Sequence, residues 1–189
     1  MSPRLLALIP VAVAINLVIG RIVAELALPV YLDTLGTMLV SVLAGLSGGL
    51  LIGTVSQVLA ALLGGYVWIA FTPIQWLIAV LAAVAAMRGG FASSRRTAVW
   101  GVMCGVVCGL TSAFISYAVY RGVSVSGVTA VATLLRSLGL SLPAAVTVAS
   151  LATDVLDKTI AFVFVGMLLR SLPRRILGRF PLAARSVGR

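Results

Sequence analysis

Residues 142–169 read LPAAVTVASLATDVLDKTIAFVFVGMLL. Apart from Asp154, Asp157 and Lys158 the stretch is free of charge. It is long enough to cross a bilayer core of about 30 Å as a helix, which takes about 20 residues. Whether the solvent around it is water or lipid is settled by the rest of the chain. Of 189 residues, 61% are apolar and 10% charged, against about 25% charged in an ordinary globular domain. The mean hydropathy is +1.20. Such a chain is neither a soluble globular domain, nor disordered, nor a disulfide scaffold. The expectation is one integral membrane domain over residues 1–189, all-α, with lipid as its main solvent.

Breaks in the apolar pattern divide the chain into six expected transmembrane helices, 5–24, 34–46, 50–65, 70–87, 98–120 and 142–169. Pro29 lies in the polar turn Glu25 to Asp33, where it disfavours continued helix. Gly45-Leu46-Ser47-Gly48-Gly49 marks a tight turn, and Pro173 ends the last segment. The stretch Arg121 to Ser141 is only moderately apolar and reads as an external loop with a short interfacial helix. The first segment could also be read as a signal peptide, but Ala24-Glu25-Leu26 lacks a small-x-small cleavage site.

The net charge of +10 would raise nucleic-acid binding in a soluble chain. Its distribution argues otherwise. Arg4, Arg88, Arg95, Arg96, Arg170, Arg174, Arg175, Arg179, Arg185 and Arg189 fall on one side of the expected topology, and Arg21, Arg121 and Arg136 on the other. By the positive-inside rule both termini are expected in the cytoplasm, with no nucleic-acid partner.

Polar residues inside the spans are the candidate functional groups, because they are costly in lipid unless they face a cavity or a partner. Asp154, Asp157 and Lys158 share one helix face through i,i+3 and i,i+4 spacing. They form either an internal salt bridge or a polar wall that meets a solute. Two acids against one base favour an uncharged or cationic ligand region. Gln57 and Gln75 are buried amides that need partners, from another helix or from a ligand. Ala12, Asn16 and Gly20 recur every four residues and offer a face for close helix approach, within the chain or to another subunit. The run Tyr66 to Trp76 gathers Trp68 and Trp76, as an aromatic belt at the headgroups or as a stacking surface for a planar ligand. Tyr31 and Asp33 lie at the same expected level and could cover it.

Catalysis is not expected. The chain has no His, which removes His-dependent triads and most zinc sites. Cys104 and Cys108 have C-x-x-x-C rather than C-x-x-C spacing. No Walker A pattern is present. No catalytic residue, metal or cofactor is assigned.

Four stretches carry a family resemblance: Ala14 to Gly20, Leu28 to Thr37, Ala44 to Gly53, and Asp154 to Lys158 followed by Leu172-Pro173-Arg174-Arg175. In this order the chain resembles the substrate-binding S component of an energy-coupling factor transporter. The resemblance implies a multi-pass protein of a prokaryotic plasma membrane that binds a vitamin or similar micronutrient from outside. It implies docking on a coupling membrane subunit that works with two ATPases. It also implies that Lys158 contacts the solute and that the first helix meets the coupling subunit through Ala12, Asn16 and Gly20, where Asn16 departs from a small-x-x-x-small pattern. Trp68 and Trp76 favour a flat solute such as a flavin, purine or nucleoside. The alternative is a self-sufficient channel or proton-coupled carrier using the charged trio, and a third is a structural membrane protein in which that trio is a satisfied salt bridge.

Overall fold

The computed structural model describes residues 3–26, 28–120 and 127–188. Arg121 and Arg189, placed on opposite sides above, lie outside them. The described residues are helical and loop, with no strand. In order they form α1 (Pro3–Glu25), α2 (Leu35–Ala44), α3 (Leu46–Gly64), a 3-10 turn (Tyr66–Phe71), α4 (Thr72–Met87), α5 (Ser94–Tyr120), α6 (Gly127–Ser137), α7 (Leu142–Ser171), α8 (Arg174–Leu177) and α9 (Pro181–Ser186).

Four helical stretches are long and apolar enough to cross a membrane: Ala7–Glu25, Leu46–Gly64, Tyr66–Met87 and Ser94–Tyr120. The other two expected crossings differ. The segment 34–46 contains a helix of only 10 residues, about 15 Å long at 1.5 Å per residue. It ends at Gly45, whose φ of 86° suits glycine and turns the chain directly into α3. The segment 142–169 becomes α7, 30 residues long but interrupted by its three charges. Helix α5 starts earlier than expected, at Ser94, because the Ser93 hydroxyl accepts the Arg96 N–H at 3.3 Å and so caps the first turn. The short helix expected between 121 and 141 is α6, with Val128 and Ala132 packed on Val146 and Ala149 of α7.

Large apolar side chains cover the outside, and polar ones are buried beside an apolar core. Met103, Leu110, Phe114 and Tyr117 of α5 and Leu62 and Leu63 of α3 are exposed. Asn16, Thr37, Ser41, Gln57, Gln75, Ser112, Asp154, Asp157 and Lys158 are buried. Apolar side chains outside and paired polar groups within are what a lipid environment favours. The chain is therefore an all-α membrane protein.

Two close helix crossings fix the frame. Gly101, Gly105 and Gly109 of α5 lie against Thr159, Val155 and Leu151 of α7, and a Cβ added at Gly105 would come within 2.4 Å of the Val155 Cα. Small residues every four positions let the two backbones meet. A Gly105→Leu variant is expected to separate the pair and lower the thermal midpoint in detergent by several degrees, as overpacking costs about 1–3 kcal/mol. An unchanged midpoint would mean that the seam is not required. At the other crossing Gly36 of α2 meets the main chain of Ala12.

The end of the bundle that carries the arginines is closed by its own chain. Leu177, Ala183 and Val187 join the core around Phe91, Phe162 and Leu169. The Phe91 N–H donates to the Ser186 carbonyl at 3.2 Å. Arg170 donates to the Phe91 carbonyl at 3.1 Å. The tail is packed structure here, with Arg174, Arg175, Arg179 and Arg185 on its outer side.

Candidate functional site: a polar cavity beneath a tethered loop

Between α1 and α2 the backbone leaves the helical path, and this loop is what makes the site. Asp157 of α7 holds it: its Oδ1 accepts the N–H groups of Tyr31 at 2.9 Å and Leu32 at 2.7 Å. Leu32 has φ 50°, a left-handed conformation that costs a non-glycine residue about 1 kcal/mol or more. Two hydrogen bonds to a charged acceptor, each worth about 1.5–3 kcal/mol, offset that strain. The loop is thereby fastened to the helix that carries the charges.

Beneath it lies a small, partly open cavity of about 40 Å³, lined by Tyr31, Asp33, Thr34, Gln57, Trp68, Phe71, Ile74, Gln75, Ser112, Asp154 and Lys158. Six elements of structure contribute. Seven of the nine residues singled out for solute binding in the sequence line it: Lys158, Asp154, Trp68, Gln75, Tyr31, Asp33 and Gln57.

The remaining two do other work. Asp157 is a fastener, with one oxygen on the loop amides and the other bonded to Lys158. Trp76 lies outside the cavity, with 45% of its surface exposed, and its indole N–H donates to Thr54 Oγ1 at 3.0 Å. Of the aromatic run, Trp68 thus lines the cavity and Trp76 lies outside it.

The face of α1 expected to dock a partner is occupied within the chain. Asn16 is 1% and Ala12 3% exposed. Asn16 Nδ2 donates to Thr37 Oγ1 at 2.9 Å and Ser56 Oγ at 3.0 Å, and its Oδ1 accepts the Gly36 N–H at 2.6 Å. Gly20 sits against Asp33. Of the two roles open to this face, packing within the chain is the one seen here: a buried amide needs partners, and α2 and α3 supply them. The chain of bonds runs on, since Thr37 donates to Gln75 Oε1 at 2.8 Å and Gln75 Nε2 to the Asp33 carbonyl at 3.3 Å. Gln57 Nε2 donates to the Trp68 carbonyl at 2.7 Å. Both glutamines thus fix the cavity wall.

Charge in the cavity is unevenly matched. Lys158 Nζ bonds Asp157 and lies 3.9 Å from Asp154 Oδ1, with the Tyr31 ring 5.9 Å away on another side. Asp154 Oδ2 and Thr34 Oγ1 are buried without a hydrogen-bond partner among the described residues. Burial pushes the Asp33 carboxyl above the usual carboxylate range, with Asp157 adding to the shift and Lys158 opposing it. Burial likewise pushes the Tyr31 phenol up, so it stays a neutral hydroxyl.

Thr34, Phe71, Ile74 and Ser112 belong to the wall but were not singled out from the sequence. Ser112 had a signal, since it follows Cys104 and Cys108 at four-residue spacing on the face of α5 that meets α7. Phe71 is fixed by stacking on Tyr120, with ring centroids 6.0 Å apart. Among the described residues no group of three or more acidic or Cys side chains is placed to hold a metal ion. Comparison of the chain with family models, curated proteins and solved structures found no match.

Proposed function

We propose that this chain is the membrane-embedded, solute-binding subunit of an importer of the energy-coupling factor type, without catalysis of its own. The observation that carries the reading is the cavity with two buried, unpartnered polar atoms on its wall, Asp154 Oδ2 and Thr34 Oγ1. Each such group costs about 1–3 kcal/mol when nothing binds it. A bound solute supplies the missing partners. The loop supports the same reading, because irregular backbone at membrane depth is tolerated where it lines a cavity or is buried in protein.

Six crossings with both termini cytoplasmic, in a prokaryotic plasma membrane, complete the proposal. In it α2 crosses as the short arm of a hairpin with α3, and α7 crosses with its charges turned inward. Energy comes from elsewhere, since the chain has no Walker A pattern. The proposed partners are a coupling membrane subunit and two ATPases, which the sequence resemblance supports.

Mass spectrometry of a solvent extract of protein purified in mild detergent tests the reading. One small solute retained in near-stoichiometric amount is expected, and adding it back raises the thermal midpoint. Trp68→Ala is expected to weaken its binding about tenfold, the loss of one aromatic contact. In proteoliposomes, accumulation should require the coupling subunit and ATPases. ATPase-independent transport would replace the proposal with a self-sufficient carrier.

A further inference from the structure

The charges facing the cavity do not cancel. Three of the chain's four acidic residues and its single lysine are gathered here. Lys158 is matched by Asp157, whose second oxygen is already spent on the loop amides. Asp154 reaches Lys158 only at 3.9 Å and through one oxygen. Its other oxygen lies on a side chain 2% exposed, on the cavity wall, without a partner among the described residues. Asp33 adds a second carboxylate to the same wall. Thr34 is 2% exposed, and its hydroxyl, also unpartnered, can accept there.

A solute that completes this wall needs N–H or O–H donors and positive charge. An anion would meet Asp154 in a poorly screened site, where like charges repel. The remaining wall selects shape. Trp68 and Phe71 put aromatic rings on the wall, and Phe71 stacks on Tyr120. Aromatic faces attract a flat cation beyond simple area burial.

We infer that the cavity takes a flat organic cation, an amidinium or a protonated amino-heterocycle, which donates hydrogen bonds to Asp154 and Thr34 and lies against Trp68 and Phe71. This rests on the solute-binding reading above and narrows it. In this arrangement Lys158 is a positioning residue that holds Asp157 and the loop, rather than the group that receives the solute.

The test uses three probes of one shape and different charge, benzamidine, benzamide and benzoate, on the full-length protein in detergent, read by tryptophan fluorescence and thermal shift. Benzamidine is expected to bind at least tenfold more tightly than benzamide, with benzoate weakest. Asp154→Asn, which keeps size and shape, should remove that preference while leaving the midpoint of the empty protein within a few degrees. Asp33→Asn, measured in parallel, should reduce the preference and guards against a folding defect in the first variant. Benzoate binding as well as benzamidine, or an unchanged preference in both variants, overturns the inference. So does a retained natural solute that is anionic, although the solute-binding reading then survives. A retained solute that is cationic near neutral pH supports the inference. If no solute is retained and none of the probes binds, both readings fall.

Discussion

An Asp157→Ala variant is expected to lose about 3–5 kcal/mol of stability, the usual penalty for removing one member of a buried ion pair. Two separate things fail at once. Lys158, 1% exposed, is left with Asp154 at 3.9 Å as its remaining carboxylate. The N–H groups of Tyr31 and Leu32 lose the acceptor that holds them at 2.9 and 2.7 Å. For a chain of this size the loss corresponds to a midpoint roughly 10 °C lower, read by thermal unfolding in detergent. Asp157→Asn separates the two causes. It keeps an oxygen for the loop amides and removes the charge, so it should fall between wild type and alanine. Equal midpoints for all three proteins would show that the loop is not fastened by this residue.

Gly36→Ala is the second large effect. A Cβ there would lie 2.0 Å from the Ala12 carbonyl oxygen and 2.7 Å from its carbon. Both are main-chain atoms that cannot rotate away. Helices α1 and α2 must therefore separate, which breaks the 2.6 Å bond from the Gly36 N–H to Asn16. Asn16 is the first link of the series through Thr37 to Gln75 and Asp33. Overpacking together with a lost buried hydrogen bond is expected to cost about 3 kcal/mol or more, and solute retention should fall with it. Ala12→Gly should not rescue the variant, because the atom struck is not a side chain. Gly139→Ala is the control: its φ of 97° is strained for alanine, but nothing lies within 4 Å. A midpoint for Gly36→Ala as high as that of the control would dismiss the crossing as a constraint.

The helical, lipid-facing character of the chain was legible in its composition, and most helix limits followed from Pro, Gly and Ser. The exception was 34–46. Hydropathy sees apolar residues but not where a helix begins and ends, so the short length of α2 was not legible. Burial of polar groups was legible as well, because charges and amides in apolar runs must find one another. Their division of labour was not. Nothing in the spacing of Asp154 and Asp157 says that one fastens a loop while the other faces a cavity, since that depends on main-chain groups more than a hundred residues away. Asn16 was read as a possible contact to another subunit for the same reason. Its partners Thr37 and Ser56 are brought to it by tertiary packing alone.

The packed tail of α8 and α9 has a mechanical consequence. Arg88, Arg95, Arg96, Arg174, Arg175, Arg179 and Arg185 are all exposed at one end of the bundle, and the tail carries four of them on structure anchored in the core. Each arginine carried to the bilayer centre costs about 2.5–3.5 kcal/mol on insertion scales. Rigidly held cations cannot retreat individually as the body tilts. Tilting the bundle would therefore move the four charges of the tail together, as one group rather than one by one.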